Sequence, residues 1–230
     1  MKLKQYSLIG LAISAALASA TTSAAETADI TVSGTLSPSA CDLALTRTNF
    51  EIGRVSFDDL NETEPTALTG GSRGAAISVN CTADTKFALQ VIDNKSGTAN
   101  ADVVSALGSE AAADRLFGLG TDSSGNNIGG YLVRFNQTAT GDAGGDTAVA
   151  AQNVNTSDGS TWSRFGSRAI VPSIGRAGWA VTSGSSVEPD AFTSIDGSLS
   201  IQPAVAALED LDGGSAIDLD GNATVVLHYL

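Results

Sequence analysis

Apolar and polar residues alternate over several short stretches of this chain. From Thr27 to Ser37, Ala28, Ile30, Val32, Gly34 and Leu36 fall on one side, and Asp29, Thr31, Ser33, Thr35 and Ser37 on the other. A period of two predicts a strand with one buried face. The pattern returns at Ile77/Val79/Cys81, Phe87/Leu89/Val91, Tyr131/Val133/Phe135 and Leu199/Ile201, and at the end in Ala223/Val225/Leu227/Tyr229. Turn-forming clusters separate these runs: 69–74, 122–127, 140–146 and 212–215, each rich in Gly, Asp, Asn or Ser. Helical signal is confined to Asp102–Leu116, an Ala-rich stretch with Asp102 as a candidate N-cap and Gly108 interrupting it. Residues 136–160, the most polar stretch, read as a long surface loop. The pattern predicts a single all-β domain of sandwich type.

The first twenty-five residues follow a different logic. Lys2 and Lys4 precede an apolar run from Leu8 to Ala18, and small residues follow to Ala25. This is the layout of a secretory signal peptide. The run is too short to cross about 30 Å of hydrocarbon as a helix. Ala20 and Ala25 both suit the peptidase, and Ala25 is preferred, giving a signal peptide at 1–25. No later stretch reads as a transmembrane helix. Export places Cys41 and Cys81, the only two cysteines, in an oxidising compartment, where an even pair predicts a disulfide.

Composition then narrows the function. The formal net charge is −13, with 12 Lys+Arg against 25 Asp+Glu, so a nucleic-acid partner held by a basic face is not expected. One histidine, His228, is present. It lies in the strand-like end of the chain, so a Ser-His-Asp site is not expected. No phosphate loop of the Gly-Lys-Ser/Thr type occurs, and Gly118-Leu-Gly120 lacks the spacing of a dinucleotide loop. Asp210-Leu-Asp212-Gly213 and Asp218-Leu-Asp220-Gly221 are rich in oxygen ligands but lack the EF-hand spacing and its closing Glu. They read as solvated turns rather than calcium sites. Seven Phe, three Tyr and two Trp are too few for the two aromatic girdles of an outer-membrane barrel. The expectation is a binding or assembly protein rather than an enzyme, with no cofactor and no metal.

Both ends of the chain resemble the subunits of chaperone–usher pili. Gly34-Thr-Leu36 within an alternating extension, followed by Cys41, is similar to the start of those subunits. Ala76-Ile-Ser-Val-Asn-Cys81 is similar to the region of their second cysteine, and Ala223-Thr-Val-Val-Leu-His-Tyr229-Leu230 to their last strand with its penultimate Tyr. Phe117-Gly-Leu-Gly120, Ile128-Gly-Gly-Tyr131 and Leu219-Asp-Gly221 resemble, in this order, segments of the larger fimbrial-like secreted proteins of that family. The chain is longer than most major pilins.

The resemblance implies an immunoglobulin-like, pilin-type sandwich that lacks its last strand, over 41–230, with residues 26–40 as an N-terminal extension. An unpaired sheet edge beside an apolar groove is an aggregation hazard. In the family a periplasmic chaperone lends a strand, and at an outer-membrane usher the extension of a neighbouring subunit replaces it, a case of β-augmentation. On this sequence the donor row is Ala28, Ile30, Val32, Gly34 and Leu36. Gly34 falls where the groove leaves no room for a Cβ. Val225, Leu227 and Tyr229 form the acceptor edge, and the Leu230 carboxylate is the group a chaperone captures. The implied function is a structural subunit of a surface fimbria with a role in cell adhesion, secreted through the periplasm to the cell surface. The competing reading is a monomeric secreted or periplasmic β-sandwich binding protein, lectin-like, with its site in the 136–160 loop.

Overall fold

The computed structural model describes residues 40–70, 73–164 and 169–230. The signal segment and all five donor-row positions, Ala28, Ile30, Val32, Gly34 and Leu36, lie outside the described residues. Among the described residues, eleven strands make one antiparallel sheet, and the only helical elements are short 3-10 turns. The strands are β1 (Cys41–Leu45), β2 (Thr66–Ala67), β3 (Gly74–Asp93), β4 (Phe117–Gly118), β5 (Gly129–Phe135) and β6 (Thr138–Ala143). They continue with β7 (Asp146–Thr156), β8 (Ser163–Arg164), β9 (Arg176–Val181), β10 (Ala191–Val205) and β11 (Ala223–Tyr229). The expected all-β architecture is present, and the bounds of β11 coincide with the last alternating run.

Two apolar runs that look separate in the sequence, Ile77–Cys81 and Phe87–Val91, belong to one twenty-residue strand, β3. Its first half pairs with β1 on one edge and β10 on the other. Its second half pairs with β11 and β9. The hydrogen bonds show that β1 and β11 share an edge. Thr82 N–H donates to Ala40, Leu230 N–H to Lys86 and Asn94 N–H to Asn222, so the even-numbered positions of β3 face both strands. The polar stretch between the halves, Thr82–Lys86, is largely exposed. Leu45 and Val225 sit opposite Ile77 and Val91 of β3 yet line the same cavity. Fourteen residues of straight strand would hold those positions about 46 Å apart, so β3 turns between its halves and contributes to two facing layers.

The pairings β3–β9–β7–β6–β10–β3 close on themselves. Closure leaves no free edge along that ring. Trp179 of β9 is buried beneath it, with its ring 6.2 Å from Phe87 and 6.1 Å from Phe135. Around it pack Ile77, Leu89, Phe192 and Ile195 in one continuous core.

Two local expectations are corrected. Residues 136–160 are not a loop: β6 and β7 form a hairpin within the ring. Its alternating Ala and Val are small enough to read as loop, and its turn, Gly144-Gly145, has φ of 61° and 89°. Two consecutive positive φ values are what a two-residue hairpin turn of right-handed twist requires. In 101–116 the structure has two 3-10 turns, Ala101–Ala106 and Ala113–Arg115. The cap of the first is Asn100, whose side chain accepts from Asp102 N–H, and not Asp102. Gly108, at φ 82°, ends the first turn.

Candidate functional site

The edge carrying β11 is where the sheet stops. Among the described residues β11 pairs with β3 alone. Its even-numbered residues are bonded to β3, so the backbone N–H and C=O of Ala223, Val225, Leu227 and Tyr229 point to the outer side. No hydrogen bond to those groups occurs among the described residues. The side chains of Val225 and Leu227 are half-buried against the core, whereas Tyr229 and Leu230 are exposed. These are the residues that the resemblance names as the acceptor edge.

Beside this edge lies a groove. One cavity of about 460 Å³ has Ala223–Val225 on one wall and Leu45–Phe50 on the other, over a floor of Val91, Leu119, Tyr131, Val133, Leu199 and Ile201. A second, of about 960 Å³, continues it between Asn49–Leu60 and Ala216–Leu219, above Leu68, Ile128 and Val205. Asn49, Phe50, Ile52 and Leu219 line both, so the groove is continuous. Its floor is made of core side chains: Leu68, Val91, Leu119, Ile128, Tyr131, Val133, Leu199 and Val205 all belong to the main cluster. These floor residues are themselves only 1–6 % exposed; the apolar side chains left half-buried along the groove are those of its walls, Leu45, Phe50, Ile52, Leu219 and Val225.

The three glycine-containing segments singled out in the sequence converge under this groove. Gly118 pairs with Gly130 across β4 and β5. Leu119 C=O accepts from Asp220 N–H, and Gly120 C=O accepts from Ile128 N–H. Phe117 stacks on Tyr131 at 5.3 Å. A Cβ on Gly221 would lie 2.8 Å from the Tyr131 ring, and one on Gly129 only 2.2 Å from the Ala204 carbonyl oxygen. Close approach of backbone explains both glycines. The buried Asp93 carboxylate accepts from Gly118 N–H and Lys95 N–H, tying β4 to the end of β3. Burial pushes the Tyr131 hydroxyl pKa up, and the Asp93 charge adds to it.

The start of β11 is held by side chains. Asn94 donates to the side chains of Asn222 and Thr224, and Lys95 forms an ion pair with Asp220. Its end meets the start of β1, where Cys41 N–H donates to the Tyr229 hydroxyl at 2.9 Å. Cys41 and Cys81 form the disulfide that joins β1 to β3 at this point.

The remaining candidates are structural in their contacts. His228 is hydrogen-bonded to the Gln90 side-chain oxygen at 2.7 Å, and Gln90 donates in turn to the Ser173 carbonyl. Asp212 accepts from Ser123, Ser124 and Gly214, and these bonds hold its carboxyl below the ordinary carboxylate value, the Ser123 hydroxyl contributing most. Asp122 is nearly buried, which pushes its pKa up. Bonds from Asp212 N–H, Asn126 and Ser124 N–H together outweigh burial and bring the net shift down. Among the described residues, no group of three or more His, Cys, Asp or Glu side chains is arranged to hold a metal ion. None of the described helices is long and apolar enough to cross a membrane.

The opposite wall, Asn49–Leu60, was not legible as part of a site. Phe50, Ile52, Val55 and Leu60 have neither strand nor helix spacing, and the only signal is apolar residues recurring in a stretch with no regular element. Residues 30–132 match a family model described as "Protein of unknown function (DUF1120)", a span that contains both cysteines and this wall. No curated protein matches the chain.

Proposed function

We propose that this chain is a structural subunit of a surface fimbria, assembled by the chaperone–usher pathway through donor-strand complementation. The observation that carries the reading is the groove beside the open edge of β11. It offers backbone hydrogen-bonding groups along one wall and half-buried apolar side chains such as Phe50, Ile52 and Val225 beside them, the kind of surface that an added strand needs for β-augmentation. On this reading the fold is a pilin-type, immunoglobulin-like sandwich lacking its last strand. Residues 26–40 are the extension that a neighbouring subunit receives, with Ala28, Ile30, Val32, Gly34 and Leu36 entering the groove. Before assembly a periplasmic chaperone fills the same groove and takes the Leu230 carboxylate, and an outer-membrane usher makes the exchange. The protein acts at the cell surface, in adhesion, by what it builds and not by catalysis.

The test uses the chain from Ala40 to Leu230 with its disulfide formed, and a synthetic peptide of residues 26–37. A ligand that binds only the folded state at a hundred times its Kd stabilises by about 2.7 kcal/mol. For a domain of this size that raises the thermal midpoint by about 5–10 °C. A midpoint indifferent to the peptide would overturn the reading.

A further inference from the structure

We infer that the strand this groove receives best is a basic one from a different protein, with apolar side chains on one face and Lys or Arg among the others. This rests on the donor-strand reading and adds to it the charge, and through the charge the origin, of the preferred occupant.

The walls set its shape. Among the described residues, the backbone groups of 48–55 and 215–219 make no hydrogen bond, and these two stretches face each other across the larger cavity. Between them lie the half-buried side chains of Phe50, Ile52, Val55, Ile217 and Leu219. Unpaired N–H and C=O groups beside apolar side chains suit an extended chain whose alternate residues are apolar.

The same walls set its charge. Residues 49–64 and 207–221 hold ten of the 25 Asp and Glu of the chain and one of its 12 Lys and Arg, Arg54. The fold brings the two stretches together, because Leu208 N–H donates to Asn61 C=O and Glu209 N–H to Glu62 C=O. All ten acids except Asp212 are exposed, and only Asp220 has a basic partner among the described residues, Lys95. Glu51, Asp59 and Asp218 line the larger cavity itself. An apolar cleft bordered by one sign of charge concentrates the field at its mouth and draws in ligands of the opposite sign. The smaller cavity does not share this character: its one charged lining residue is Arg47, which donates to the Gly74 carbonyl.

The chain's own extension does not match. Residues 26–40 include Glu26 and Asp29 and no Lys or Arg, so a second copy presents acid to acid. Like charges at a rim weaken one partner and thereby favour another, which is how an interface selects. A basic strand from elsewhere therefore outcompetes the extension of an identical neighbour, and the acidic rim biases this subunit towards mixed rather than self assembly.

Pro38–Leu230 forms a compact unit of its own, so the experiment uses the 40–230 chain with its disulfide formed. Two peptides of residues 26–37, blocked at both ends, are compared: the parent, and one carrying Asp29→Lys, Thr31→Lys and Ser33→Lys, which leaves the apolar row intact. At about 0.01 M salt the lysine peptide is expected to bind about tenfold more tightly by calorimetry, and at about 1 M salt, where charges are screened beyond about 3 Å, the two should converge. Two protein variants of equal net charge locate the effect. Glu51→Gln with Asp59→Asn and Asp218→Asn should reduce the preference to about threefold or less. Asp42→Asn with Asp114→Asn and Asp146→Asn, exposed acids outside both walls, should leave it unchanged. A parent peptide that binds as tightly as the lysine peptide overturns the inference and leaves the donor-strand reading standing. So does a preference that survives high salt, or one that both variants lose equally. If neither peptide binds, both readings fall together.

Discussion

Single residues in this protein are constrained chiefly by how closely backbones approach. A Cβ on Gly129 would sit 2.2 Å from the Ala204 carbonyl oxygen and 2.8 Å from Val205 Cα, both backbone atoms of the paired strand. Gly129→Ala is expected to cost about 3 kcal/mol, because the ladder itself must shift. Gly213 has nothing within 4 Å of such a Cβ, and Gly213→Ala should stay within about 0.5 kcal/mol. Chemical denaturation of the two variants checks the contrast. Titration has an equally local origin. Asp122, Asp158 and Asp212 have pKa values held below the ordinary 3.8, Asp158 by bonds from Thr156, Thr161 and Ser160. Depressed carboxyl pKa values stabilise the fold above the unfolded value, and that stability is lost as pH falls below about 4. Tyr131 is raised, so its contribution is complete below about pH 10 and declines above it. Thermal midpoints should therefore hold level between about pH 5 and 9 as far as these groups are concerned, and Tyr131→Phe should flatten the alkaline limb alone.

At the scale of elements, the disulfide and the β1–β11 contact carry the argument. Cys41 and Cys81 close a loop with a sequence separation of 40. Replacing both by Ser is expected to lower stability by about 4 kcal/mol on the chain-entropy account, measured by urea unfolding. Tyr229→Phe removes the acceptor for Cys41 N–H and should cost about 0.5–1 kcal/mol. The first half of β3 was legible because its faces differ: Ile77 and Val79 are buried while Ala76 and Asn80 are exposed, whereas beside Leu89 the even-numbered Ala88 is buried too. What period two does not convey is where one strand ends, and so the fusion of two runs into β3 escaped it. Thr82–Lys86 is polar because it is exposed at the turn between layers, which in a sequence looks like a loop. The β6–β7 hairpin escaped for the opposite reason, since Ala139, Ala150 and Ala151 bury too little surface to mark a face. The acceptor edge was readable at Val225, Leu227 and Tyr229, whereas the far wall at Asn49–Leu60 depends on contacts distant in sequence.

For the whole molecule, the consequence of closing one ring of strands is that unsatisfied backbone collects at the remaining edges. The edge of β11 differs from an ordinary one because a groove floored by core residues adjoins it, which is the basis for proposing assembly as the function. The disulfide gives this arrangement a mechanical character. Cys41 is the first residue of β1, and its sulfur is bonded to the middle of a strand that is itself paired with β1, β9, β10 and β11. Tension on the chain ahead of Cys41 has a covalent route through that bond into β3, in parallel with the five residue pairs of β1. A pull that would otherwise peel β1 from the sheet one pair at a time is instead spread in shear over β3 and its partners. If subunits are joined in a fibre as proposed, load would be expected to unseat the inserted strand before it unfolds the disulfide-bonded domain.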